Sequence, residues 1–263
     1  MSIHEWKRYE LNEYYDSTIA NLNKLATLKD YIGNQNYFKK DDDTKTITYQ
    51  TELLCPSKLD GRIPVLLLFS NPHPKSIIAG MFLSPEKTVN RFWKSMQGAE
   101  MFNLPCKPEI RKEDFPEPIR RIFLNLEYDS PFAFYFYSFF SFPSRNPEEL
   151  EKIFSSYFND HILSESRNDL MEFLKCKKIH HIICFGKQAF QYISSNYTEG
   201  DLGGYTKKVA ECGFIHSKFM CNKDINLYLT CPTGQGGCEA ADRVKSLRII
   251  KKEIESDLKN HEK

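Results

Sequence analysis

Seven apolar residues in a row, Ile63 to Phe69 (IPVLLLF), stop abruptly at Ser70-Asn71-Pro72-His73-Pro74. A run of that length without polar alternation predicts a strand buried on both faces, as in a parallel sheet. The two prolines forbid continuation of strand or helix through the turn. Polar groups are thereby set on a rigid turn just past the carboxyl end of a buried strand. In open α/β sheets that is where ligands bind.

The rest of the chain repeats this pattern. A second strand is expected over Phe132 to Ser141, ended by Pro143-Ser144-Arg145-Asn146-Pro147, and a third over Ile179 to Phe185, running into Gly186 and a helix from Lys187. A fourth, Asn226 to Leu229, meets Cys231-Pro232-Thr233-Gly234-Gln235-Gly236-Gly237. Helices are expected at about 148–157, 169–176 and 240–259. Strands that each run through a Pro- or Gly-containing turn into a helix imply a three-layer α/β/α sandwich with a central, mostly parallel sheet. Ahead of it, residues 3–32 carry a helical rhythm that stops at Gly33, 39–45 read as a polar loop, and Thr46 to Leu54 alternates like a strand. Residues 1–58 are therefore expected to be a helix-and-strand extension packed on a core domain spanning 59–263. With 263 residues and 41% hydrophobic side chains, the chain has material for a substantial core.

Lys and Arg number 36 against 35 Asp and Glu, a net charge of +1, which excludes a uniformly basic nucleic-acid coat but not a local basic patch. The charged N-terminus has no apolar stretch of the signal-peptide kind, and no run approaches the length of a membrane helix, so an intracellular location is expected, cytoplasmic or nucleoid-associated, with no membrane partner. Eight cysteines occur with no C-x-x-C pair and no histidine at zinc-finger spacing, so free thiols and no metal are expected.

Four segments in order carry a resemblance: the buried strand ending in Asn71-Pro72 with the loop Ala79-Gly80-Met81-Phe82; the stretch Asn90-Arg91-Phe92-Trp93; the Gly186-Lys187 strand end; and Pro232-Thr233-Gly234. Over about residues 60 to 250 the chain resembles the uracil-DNA glycosylase superfamily, closest in motif to its mismatch-specific uracil/thymine branch. The resemblance implies a monofunctional DNA glycosylase that flips a pyrimidine from double-stranded DNA and hydrolyses its N-glycosidic bond, as a monomer without cofactor. Such a reaction needs a polar group to position water below the sugar C1′ and donors facing the departing base.

On that resemblance Asn71 positions the water, where an Asn before Pro otherwise closes its own turn. Phe82, or Met81, stacks on the base, and Asn90 orders the first loop. Tyr137 or Ser138 stands where many relatives carry an Asn that reads the pyrimidine edge. Gln235 is the wedge entering the duplex, with Pro232, Thr233 and Gly234 around it, and Lys187 joins them at the DNA surface. Trp93 is expected in the core. Arg243, Lys245, Arg248, Lys251 and Lys252 form either a solvated helix face or a track along the DNA backbone.

Two positions depart from the family pattern. His73 replaces the usual Gly and either adds a catalytic or base-contacting group or plugs the pocket; Cys231 stands where other branches carry a His. The substrates implied run from uracil and mispaired thymine to bulky modified cytosines such as the glucosylated hydroxymethylcytosine of viral DNA. A non-catalytic DNA-binding relative of the same fold is the alternative. A nucleotide-dependent small-molecule enzyme is disfavoured, since no phosphate-binding glycine fingerprint is present.

Overall fold

A computed structural model describes residues 4–84, 91–105, 116–198, 200–232 and 238–261. The strands are β1 (His4–Glu10), β2 (Phe38–Asp41), β3 (Thr46–Leu54), β4 (Ile63–Phe69), β5 (Phe132–Ser138), β6 (His181–Cys184), β7 (Ile215–Phe219) and β8 (Asn222–Leu229). The helices are α1 (Tyr15–Asn23), α2 (Lys29–Ile32), α3 (Pro74–Ala79), α4 (Arg91–Gly98), α5 (Pro116–Leu124), α6 (Pro147–Phe154), α7 (Leu163–Lys177), α8 (Lys187–Ile193), α9 (Tyr205–Cys212) and α10 (Ala240–His261).

One eight-stranded sheet runs in the order β1-β3-β5-β4-β6-β8-β7, with β2 also paired to β3. The four central strands, β5, β4, β6 and β8, are mutually parallel, and the flanking pairs are antiparallel. β4 sits at the centre, with Val65 to Leu68 fully buried, because helices cover both faces there. The side chains of β5 divide between the layers: Phe136 packs on Trp93 and Phe123, while Tyr135 and Tyr137 turn to Phe173 of α7. The architecture is therefore α/β with a mixed, mainly parallel central sheet between helical layers.

The N-terminal segment corrects the expectation of a helix from residue 3. Residues His4–Glu10 form β1, with Trp6 and Lys7 in ladder register with Gln50 and Tyr49 of β3. The apolar spacing at Tyr9 and Leu11 fits a strand running into a turn as well as it fits a helix. The polar stretch from Lys39 is partly β2, and β7 has no counterpart in the sequence reading because Ile215–Phe219 interrupts its apolar positions with His216 and Lys218.

Candidate functional site

Since β4, β5, β6 and β8 are parallel, their carboxyl ends lie at one pole. The chain passes from β4 to β5 on one side and then to β6 on the other, so the strand order reverses between β4 and β6. Such a reversal opens a crevice at the carboxyl ends of the two strands. Ser70-Asn71 follows β4 there, and Phe185-Gly186-Lys187 follows β6. The two turns meet closely: a Cβ on Gly186 would sit 2.0 Å from the Ser70 hydroxyl oxygen. Lys187, the first residue of α8, is half-buried at the same pole, and so is Pro232 after β8.

Asn71 is anchored by one end of its amide. Its Nδ2 donates to the Ser144 carbonyl at 2.7 Å and to Ser144 Oγ at 3.0 Å. A carbonyl can only accept, so the nitrogen faces Ser144 and Oδ1 faces away. Oδ1 accepts no hydrogen bond from the described residues. Ser144 is itself fully buried, with its hydroxyl donating to the Asn146 carbonyl at 2.8 Å and its N–H to the Pro72 carbonyl at 3.1 Å. The turns after β4 and β5 are thus stitched together, and the free carbonyl of Asn71 is held at the crevice.

His73 caps α3: its Nδ1 accepts the Lys75 N–H at 3.2 Å, which puts the proton of the neutral ring on Nε2. Gly80 closes the same helix at φ 77°, a conformation that favours glycine. Met81 and Phe82 follow and are buried. The Phe82 ring lies 5.7 Å from Phe69 and 5.6 Å from Phe136, and the loop is tied down by the Trp93 indole N–H donating to the Leu83 carbonyl at 3.3 Å. Trp93 is fully buried, as expected.

Of the two candidates on β5, the structure separates the faces. Tyr137 packs 4.9 Å from Phe173, on the side away from Phe82, with its phenol pushed well above the usual range by burial. Ser138 is the register partner of Phe69, two residues from Phe136, and so shares the Phe82 face. It is buried, and its Oγ has no hydrogen-bond partner among the described residues. Asn90, Thr233, Gly234 and Gln235 lie outside the described residues.

Cys231 is buried, and its thiol is pushed well above its ordinary range, first by burial and then by a hydrogen bond with Cys238, which keeps it neutral. Lys245, Arg248 and Lys252 of α10 are exposed, as the solvated-face reading expects, while Arg243 is buried; Lys245 donates to the Ala210 carbonyl, Arg248 to Gly98 and Lys251 to Glu100, at 3.0, 2.8 and 2.7 Å, and Arg243 donates to Cys238. Lys245, Arg248 and Lys251 bond carbonyls at the carboxyl ends of α9 and α4, where a helix dipole favours positive charge.

Sequence reasoning missed Glu52. It is buried on β3 and makes no hydrogen bond or ion pair among the described residues; one carboxyl oxygen is wholly enclosed without a partner. Burial holds its carboxyl well above the ordinary value of 4.5. The alternating strand Thr46–Leu54 already carried a charged residue among its buried positions, and that was the available signal. At the opposite pole, a cleft of about 900 Å3 is lined by His180, His181, His216 and Lys218 among others, around an Asn226 whose Oδ1 accepts from Lys218 at 2.6 Å. It lies at the amino ends of β4, β6 and β8, away from Asn71. Among the described residues no group of three or more His, Cys, Asp or Glu is arranged to hold a metal ion, and no helix is long and apolar enough to cross a membrane.

No protein-family model matches this chain, and no curated protein matches it.

Proposed function

We propose that this protein is a DNA glycosylase of the uracil-DNA glycosylase type, with a three-layer fold of that kind, which hydrolyses the N-glycosidic bond of a pyrimidine flipped out of double-stranded DNA. The observation that carries the reading is the half-anchored amide of Asn71: its nitrogen is fixed on Ser144 and its carbonyl is left unbonded by the described residues at the strand-order reversal. A fixed carbonyl of that kind accepts from a water and orients its lone pair toward an electrophilic carbon. Placing the nucleophile before reaction supplies a large part of the barrier reduction. The amide is too weak a base to do more, so the rest falls to stabilising the departing base. Phe82, close to both Phe69 and Phe136, offers the aromatic surface against which a flipped base stacks once the loop opens.

The substrates are damaged or modified pyrimidines, uracil, mispaired thymine or a bulky modified cytosine, and the product is an abasic site. The full burial of Met81 and Phe82 favours a second reading, a DNA-binding relative of the same fold that performs no chemistry. One assay decides. Duplexes bearing each base are incubated with the protein and treated with alkali. Strand cleavage is expected, falling about 100-fold or more in Asn71→Ala. No cleavage of any duplex rejects the enzyme; cleavage unchanged in Asn71→Ala rejects the role of Asn71.

A further inference from the structure

β3 and β5 pair antiparallel at Leu53 with Tyr137 and at Leu54 with Phe136. One further step of that register sets Glu52 opposite Ser138, on the face that carries Phe136 and Phe82. Both side chains are more than nine-tenths buried, and each has an oxygen enclosed without a hydrogen-bond partner among the described residues. Two residues earlier on the same face, Gln50 Oε1 is also enclosed and unpartnered. α3, which begins directly after the Asn71 turn, packs over β3. Buried polar groups are almost always bonded, so three orphans on one stretch of one sheet face mark a place where a polar occupant would satisfy groups that the described residues leave unpaired. Glu52 lies on the far side of Ser138 from β4, two strands across the sheet from the strand that Asn71 follows. A pyrimidine entering with its sugar at Asn71 presents there the edge opposite N1, which carries N3 and the C4 substituent.

We propose that Glu52 is a specificity-determining acid of this site, donating a proton to N3 of an extruded 4-aminopyrimidine, the cytosine class of base. The inference rests on the glycosylase reading. A neutral carboxyl fits that edge at two points: its O–H reaches N3 and its carbonyl accepts from the 4-amino group. Cytosine-type rings are poor leaving groups unless protonated, whereas uracil already carries a proton on N3 and leaves as a delocalised anion. The proton passes from Glu52 to N3 as the C1′–N1 bond breaks. The bonding pair departs on N1, so the base leaves neutral. The water at Asn71 adds through oxygen to C1′ and sheds its proton to solvent, from which the Glu52 carboxylate is reprotonated. Among the described side chains Glu52 has no ion-pair partner, and burial keeps the carboxyl in its acid form before substrate enters.

The test is single-turnover base release by wild type and Glu52→Gln from two duplexes, one with 5-hydroxymethylcytosine and one with uracil. Gln keeps a donor and an acceptor but has no proton to give. Expected is a fall of about 100-fold or more on hydroxymethylcytosine, in the range of general acid catalysis, with uracil release within threefold of wild type. Equal losses on both duplexes, retention on both, or wild-type release of uracil alone overturn the proposal and leave the glycosylase reading standing. Release of neither base by wild type overturns the proposal, and the glycosylase reading falls with it if mispaired thymine and glucosylated hydroxymethylcytosine are not released either. The melting temperature of Glu52→Gln, at or above that of wild type, separates lost chemistry from lost folding.

Discussion

Glu52 and Asn71 solve opposite problems with one polar side chain each. Asn71 spends its donor on Ser144 and keeps its acceptor free; Glu52 spends nothing and is left enclosed. An ionised carboxylate without a partner is costly in a protein interior, so the group neutralises by a raised pKa. That has a sign in stability. The folded-state pKa lies above the unfolded value near 4.5, so between the two the folded protein holds more protons. Stability from this group is therefore fully present below about pH 4.5 and is lost as pH rises through the folded pKa. Glu52→Gln removes the dependence. Thermal melts at pH 5 and pH 8 should find the variant's advantage over wild type larger at pH 8. An advantage that shrinks with pH would show that Glu52 is ionised and paired in solution.

At the scale of elements, the pole depends on how closely the turns after β4 and β6 approach. Gly186 has an ordinary extended φ of −136°, so space, not backbone conformation, demands a glycine. In Gly186→Ala the new Cβ would meet Ser70 Oγ at 2.0 Å, which forces the turns apart. The expected cost is about 1–3 kcal/mol, typical of overpacking. Adding Ser70→Ala removes that oxygen and leaves the nearest Ser70 atom at 3.3 Å, so the double variant should recover most of the loss. Urea midpoints of the four proteins in the cycle measure the coupling; additive losses would mean that the turns do not touch. What the sequence disclosed at this scale follows the same logic. The continuous apolar runs of β4 and β5 and the Pro and Gly stops were visible because burial on both faces leaves no polar alternation to confuse. The strand at His4–Glu10 was not, because charged and aromatic residues at an edge fit either period, and only pairing with β3 decides between them. Asn71 was legible from its turn. The anchoring Ser144 and the opposing Glu52 were not, since both reach the site through contacts between strands far apart in sequence.

For the whole molecule, the question is whether the N-terminal strands are an appendage or part of the machinery. Their link to the parallel sheet is short, Leu53 and Leu54 against Tyr137 and Phe136, but their side chains reach further. Tyr9 and Tyr49 both place a hydroxyl on Ser141, at 3.2 and 2.6 Å, and Tyr49 packs on Phe142 with ring centroids 4.9 Å apart. Tyr31 and Phe38 add further edge contacts to the Phe142 ring. Phe142 is two residues before Ser144, so this tyrosine layer fixes the turn that fixes Asn71. Removing residues 1–58 would strip the edge of β5, uncover Phe142 and delete Glu52 together. An uncapped hydrophobic strand edge pairs with whatever strand it meets. The fragment 59–263 should therefore elute as aggregate rather than as a folded monomer in size-exclusion chromatography. On the proposed glycosylase reading, any soluble fraction should release no base from the assay duplexes. A monomeric fragment with a cooperative melt and full activity would show instead that the four parallel strands form an independent domain, with the N-terminal layer dispensable to the Asn71 pole.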